Sequence, residues 1–275
     1  MDTKILVVLD PHRMEQSALE WGEKIALELA EHRSVDVMLH VYCCVNEDGE
    51  GADARAQRAT SGKDQLEDWV ERLVVHTRSL GIEVSTQVER TSDWRKAIVA
   101  AAASSGSNLV VKDMTQHSRL VRLTRETADW QLLRNAECPI FLVSASPPPS
   151  IQKLLVAIKP SPGEEIYEEA NDRVLATARR MADDLGATLN AVACHSADNF
   201  PDRQRFAERC GMERNQVRAE TGVPEKVIAS AARELEADIL VIANIATAEQ
   251  PLLGNTAQRV IDEIDIDVLV VPMTA

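Results

Sequence analysis

The chain has 275 residues, enough for one large domain or two of ordinary size, and 45% hydrophobic against 27% charged residues supply a real core. Aromatics make up only 3%, so Leu, Val, Ile and Ala must fill that core, and few rings remain on which nucleic-acid bases could stack. The formal net charge of −14 argues against nucleic acid and anionic membranes as partners, because phosphates would be repelled by most of the surface.

Met1-Asp2-Thr3-Lys4 leads straight into an apolar segment, without the charged leader expected before a secretion signal. Residues 5–9 are uninterruptedly apolar, as in a parallel strand covered on both faces, and predict a strand over 4–10. A helix over 15–31 and a strand over 35–43 follow. Leu66, Trp69, Val70, Leu73, Thr77 and Leu80 mark one face of a helix over 62–79, and Gly81 stands where a left-handed residue would end it. A strand over 82–89 precedes a helix over 93–105. That helix holds the longest wholly apolar run, Ala97 to Ala103, far short of a membrane span. A strand over 108–112, a helix over 126–136 and a strand over 140–144 complete the series.

The series then repeats. Residues 4–10 match 153–159 at an offset of 149, Lys96-Ala97-Ile98 matches Lys226-Val227-Ile228 at 130, and residues 109–111 match 239–241 also at 130. Thr127-Ala128 matches Thr256-Ala257 at 129. The offset makes one large drop, so a single shortening in the second copy accounts for it, and its second helix is expected over about 202–213. Ile166, Ala170, Val174, Ala178, Met181 and Leu185 mark a helix face in the second copy, ended by Gly186. Between the copies, Ser144-Ala145-Ser146-Pro147-Pro148-Pro149-Ser150 reads as an extended, fairly stiff connector, giving domains over 1–146 and 151–275. The fold class is α/β: two tandem doubly wound five-stranded parallel-sheet domains, with any ligand expected beyond the carboxyl ends of the strands.

Three stretches carry a resemblance to a known family. Gly222-Val223-Pro224 with Ile228, Ala232, Glu234 and Ala237-Asp238-Ile239-Leu240-Val241 is the first. Leu253-Gly254-Asn255-Thr256-Ala257-Gln258-Arg259-Val260-Ile261 is the second, and Asp129-Trp130-Gln131-Leu132-Leu133-Arg134 is the third. Together they resemble tandem universal stress proteins, most narrowly the E type, over nearly the whole chain. The resemblance implies a universal stress protein-like, adenine nucleotide alpha hydrolase-like fold. It also implies an internal pseudo-dimer in which residues 140–143 and 269–271 meet. A homodimer is compatible with it.

Many members of that family bind ATP through a loop with two glycines three positions apart, a spacer, and Gly followed by Ser or Thr. Glycine suits close backbone approach to phosphate. Here Ala243-Asn244-Ile245-Ala246 replaces the glycine pair, and Asn255 replaces the hydroxyl after Gly254, although Thr256 follows. Arg125-Glu126-Thr127 stands in the corresponding place in the first copy. Asp10 matches the acidic residue that nucleotide-binding members place near ribose and base, whereas Lys159-Pro160 stands there in the second copy. ATP is therefore disfavoured, and no cofactor is expected.

Lys112, His117, Arg119, Arg122 and Arg125 form a basic cluster in an acidic chain. Arginine forks suit phosphate or carboxylate, but a solvated loop paired with nearby acids is the plainer reading. Candidate ligand residues are accordingly Asp10, Arg119, Arg122, Arg125, Ala243, Ala246, Gly254, Asn255 and Thr256. Cys43, Cys44, Cys194 and His195 read as core or strand-end residues, because strand neighbours point to opposite faces and no C-x-x-C or H-x-x-x-H pair supports a metal. The odd count of five cysteines fits a reducing, cytoplasmic setting. No nucleophile elbow, zinc-protease helix or P-loop is present. The expectation is a stress-response or regulatory protein acting on an unknown small molecule or protein partner. A weak ATPase with a remodelled loop and a binder of an apolar small molecule or lipid are the alternatives.

Overall fold

The computed structural model describes residues 3–46, 63–114, 128–135, 137–160, 163–195, 202–245 and 256–273. The chain divides into two compact units, Met1–Pro147 and Pro148–Ala275.

In unit 1 the order is β1 (Thr3–Leu9), α1 (Ser17–Arg33), β2 (Val37–Asn46), α2 (Lys63–Ser79), β3 (Glu83–Thr91), α3 (Trp94–Ser105), β4 (Leu109–Asp113), α4 (Ala128–Asn135) and β5 (Ile140–Val143). The strands lie in the order β3-β2-β1-β4-β5, every neighbour parallel. Unit 2 runs β6 (Lys153–Ile158), α5 (Glu165–Leu185), β7 (Thr188–His195), α6 (Arg203–Cys210), a 3₁₀ turn (Arg214–Gln216), β8 (Val217–Thr221), α7 (Pro224–Leu235), β9 (Ile239–Ile245), α8 (Thr256–Ile261) and β10 (Asp267–Met273). Its order is β8-β7-β6-β9-β10, again parallel throughout. The fold is thus the α/β, doubly wound parallel type expected. Strand order reverses between β1 and β4 in unit 1 and between β6 and β9 in unit 2. Those are the points where such sheets open a crevice at their carboxyl ends.

The central strands are buried because both faces are covered. Ile5, Leu6, Val7, Val110 and Val111 have no exposed surface in unit 1, nor do Leu154, Val156, Ile239, Leu240 and Val241 in unit 2. Gly22 lets α1 approach β1 closely, since a Cβ there would sit 2.8 Å from Val7 Cγ2. Trp21 beside it meets Phe141 edge-on at 5.0 Å between ring centres and donates its indole N–H to the Ala145 carbonyl at 3.0 Å.

The shortening in the second copy falls on one element. α2 has 17 residues, and α6, at the same place in the order, has 8. Gly81 and Gly186 adopt positive φ after their helices, as their positions predict. Two expected faces are narrower than read. Ile166 is 42% exposed because it lies in the first turn of α5, ahead of the residues that cover the sheet. Leu80 follows the last residue of α2 and is 38% exposed. Helix α1 begins at Ser17 rather than at 15, for a reason that lies in the turn between β1 and α1.

Candidate functional site

In unit 1 the residue after β1 is Asp10, and the chain turns there towards α1. The side-chain amide of Gln16, itself buried, closes this turn. Its Oε1 accepts from the Asp10 N–H at 3.0 Å, and its Nε2 donates to the Asp10 carbonyl at 2.8 Å and the Arg13 carbonyl at 3.1 Å. Gln16 is thereby held in the loop, which fixes Ser17 as the first helical residue. The Asp10 carboxylate turns back on the same loop, accepting from the His12 N–H at 2.9 Å.

Across the switch point, β4 ends in two charged residues that are both buried, Lys112 and Asp113. Lys112 Nζ pairs with Asp129 Oδ1 of α4 at 2.8 Å and also donates to the Asp113 carbonyl at 2.8 Å. Asp113 Oδ1 accepts from Arg13 Nη1 at 2.9 Å. Its Oδ2 is buried and makes no hydrogen bond of normal geometry among the described residues. Burial holds the Asp113 carboxyl above the usual carboxylate range, with Asp10 adding to the rise; Arg13, Lys112 and the Ala18 amide of α1 oppose it. At the end of β2, burial pushes the Cys43 thiol up to about 12 and the Cys44 thiol up to about 11. Neither is poised as a nucleophile.

Unit 2 repeats the geometry with different chemistry. The register pairs Val8 with Lys112 in unit 1 and Ala157 with Ile242 in unit 2, so Lys112 corresponds to Ile242 and Asp113 to Ala243. Asp129 corresponds to Gln258, which is fully buried. Lys159 stands at the place of Asp10. Its N–H donates to Asn171 Oδ1 at 3.0 Å and its carbonyl accepts from Asn171 Nδ2 at 2.8 Å. Its ammonium lies 3.2 Å above the centre of the Tyr167 ring. Strand β9 does not stop at Ala243 but continues to Ile245, pairing Ala243 with Val271 and Ile245 with Met273. Thr256 opens α8, where its Oγ1 accepts from Arg259 Nη2 at 3.4 Å, while Arg259 Nε pairs with Glu225 Oε1 at 3.2 Å.

Of the sequence candidates, Asp10 lies at the carboxyl edge of unit 1, and Ala243 and Thr256 lie at that of unit 2. Arg119, Arg122, Arg125, Ala246, Gly254 and Asn255 lie outside the described residues, as does His117. Lys112, the first member of the basic cluster, is engaged by Asp129. Cys43 and Cys44 sit on opposite faces of β2, and Cys194 Sγ donates to the Gly222 carbonyl at 3.2 Å. Among the described residues, the one grouping of metal-ligand type is Glu28, Glu31 and His32 on the partly exposed end of α1, away from all of these. Sequence reasoning passed over Arg13, Gln16, Asp113, Asp129 and Asn171. A usable signal existed for one pair: Lys112-Asp113 extends the strand Leu109-Val110-Val111, and charges that prolong a buried strand need partners.

The profile of the universal stress protein family matches residues 1–144 and 163–272, which is most of both units. The chain belongs to the universal stress protein family. Among relatives of this family, universal stress protein E of Escherichia coli (strain K12) is 25% identical over 299 aligned positions, covering 98% of this chain and 94% of the relative. The universal stress protein E homolog of Haemophilus influenzae is 23% identical, covering 96% of each chain. A crystal structure of a universal stress protein from Pseudomonas aeruginosa UCBPP-PA14 shares 25% identity at a TM-score of 0.74, covering 98% of this chain and 93% of the other. A universal stress protein from Archaeoglobus fulgidus DSM 4304 shares the fold at a TM-score of 0.72 and 16% identity, covering 98% and 96%. The E-type likeness thus extends over both units of this universal stress protein. Among the described residues, no helix is long and apolar enough to cross a membrane.

Proposed function

We propose that the chain is a cytoplasmic stress-response protein that works by binding a small molecule or a protein partner at the carboxyl ends of its sheets, and not by turnover. The observation that carries this reading is the course of β9 through Ala243 to Ile245. A backbone that cradles phosphate needs amides turned out of the sheet and no Cβ at that place, whereas here the strand continues its ladder with β10 and Ala243 carries a Cβ. In unit 1 the same position holds the Asp113 carboxylate, which would repel a phosphate at neutral pH. The polar groups of that edge are engaged with one another, as Arg13–Asp113 and Lys112–Asp129, which suits recognition better than proton transfer to a substrate. The five cysteines are all free, in keeping with a reducing compartment.

Native mass spectrometry of the purified full-length protein, with and without Mg-ATP, tests the reading. No stoichiometric ATP adduct and no phosphate release are expected. An ATP adduct that turns over would overturn it. A second reading, an apolar small molecule in unit 2, is favoured by the partly exposed Ala243 and Ile245 at the end of β9. A fatty acid or similar adduct carried through purification, released by organic extraction, is the sign of it.

A further inference from the structure

Arg13 and Asp113 differ sharply in exposure. The arginine side chain is 37% exposed and the aspartate side chain 3%. Asp113 is therefore a buried carboxylate whose charged hydrogen-bond partner, Arg13, is a group that solvent can reach, with the backbone N–H of Ala18 as a further partner. We propose that this pair is an acid-gated anion latch: protonation of Asp113 releases the Arg13 guanidinium, which then takes an oxyanion-bearing ligand at the strand-end edge of unit 1. The proposal rests on the reading of that edge as the ligand site and adds its control.

The geometry supports each part of the gate. The charged groups that face Asp113 from the elements around it are Arg13 in the β1–α1 loop, Lys112 beside it on β4, and Asp10 just after β1, and the backbone N–H of Ala18 in α1 also hydrogen-bonds the carboxylate. Lys112 cannot serve as the latch, because its ammonium is buried against Asp129 and the Asp113 carbonyl. Arg13 stays in place after release, since Gln16 Nε2 holds its backbone carbonyl and its own N–H donates to the Asp10 carbonyl at 3.1 Å. What is released is a guanidinium fork, a group suited to phosphate, sulfate or carboxylate. The only covalent change is a proton transfer from solvent: an O–H bond forms on the Asp113 carboxylate as one breaks in hydronium, and the guanidinium exchanges one anionic partner for another. Burial of Asp113 favours the protonated form, so the gate opens at a pH above the ordinary carboxylate range. The corresponding residue in unit 2 is Ala243, so the gate belongs to unit 1 alone.

The folded state binds this proton more tightly than the unfolded chain does, which fixes the direction of the pH dependence. The Asp113 contribution to stability is largest at low pH and is lost as pH rises through the raised value. Sulfate is the probe of choice because its charge stays constant over the range. Its binding to the full-length protein would be followed by NMR at the Arg13 Nε–H. Asp113→Asn near neutral pH should bind sulfate about tenfold more tightly than the parent, a gain of one decade in affinity. The parent should make the same gain on mild acidification, and Arg13→Gln combined with Asp113→Asn should lose it. Equal affinity in parent and Asp113→Asn, or binding by neither, overturns the latch. A readout independent of any ligand is the carbon-13 titration of the Asp113 carboxyl. A midpoint above the usual range that coincides with a change at Arg13 Nε is expected. An ordinary midpoint overturns the gate even where the edge binds a ligand by another route. Failure of the mass-spectrometric test would strike the binding reading and leave this titration untouched.

Discussion

The side-chain amide of Gln16 pairs with both backbone groups of Asp10, accepting from its N–H at 3.0 Å and donating to its carbonyl at 2.8 Å. Asn171 does the same to Lys159 in unit 2, at 3.0 and 2.8 Å. An amide side chain thus pairs with the first residue beyond the central strand, where its ladder with the neighbouring strands has ended. The two amides come from different places, the turn before α1 and the second turn of α5. The device has therefore been kept while the residues that supply it have moved.

Replacing Gln16 with Ala should destabilise unit 1 by about 1–3 kcal/mol, because a buried amide leaves three backbone groups without their partner. Asn171→Ala should cost less, since its bonds with Lys159 lie in an exposed turn. Urea unfolding of the two variants side by side gives the comparison. A larger loss for Asn171→Ala would contradict it.

The buried pair Lys112–Asp129 offers an exchange experiment, because unit 2 has solved the same position with Ile242 and Gln258. Asp129→Ala alone should cost about 3–5 kcal/mol, since it leaves an ammonium buried without its counter-charge. The double change Lys112→Ile with Asp129→Gln should return to within about 2 kcal/mol of the parent or exceed it, as well-packed replacements of buried ion pairs commonly do. A double-mutant cycle by chemical denaturation measures both. Additive losses would show that the two side chains do not act as a pair.

Helix α3 ends on Gly106 at φ 63°, and its counterpart α7 ends on Glu236 at φ 53°. A side chain in this left-handed region carries strain that glycine lacks. Glu236→Gly should raise the stability of unit 2 by up to about 1 kcal/mol, the approximate cost of a non-glycine residue held there. The ion pair it removes, with Lys153 at 3.9 Å and largely exposed, contributes little. A fall in melting temperature would show that this contact outweighs the backbone strain.

The architecture was legible in the residues because it depends on pattern. Unbroken apolar runs such as Leu109-Val110-Val111 mark strands covered on both faces, and the offset between copies stays nearly steady on either side of the one segment where the second copy is shorter. Gly186 announced its left-handed turn by type and place alone. The site was less legible because its residues act through partners distant in sequence. Nothing near Gln16 indicates that its amide will turn back on Asp10 rather than begin a helix. Arg13 and Asp113 are 100 positions apart, and only the parallel pairing of β1 with β4 brings them together. Lys112 was read with the basic residues that follow it, whereas the strand carries it inward to Asp129.

The exchange of Asp10 for Lys159 has a meaning for how such a protein changes over time. When a site is built from two identical chains, every substitution appears twice, and the two halves must accept the same charge. Here both copies lie in one polypeptide, so each strand end mutates alone. An acidic corner in one copy and a basic corner in the other can then coexist, with a matching contrast between Asp113 and Ala243. A single chain can in this way carry two chemically different strand-end corners without the symmetry that would force them to be alike.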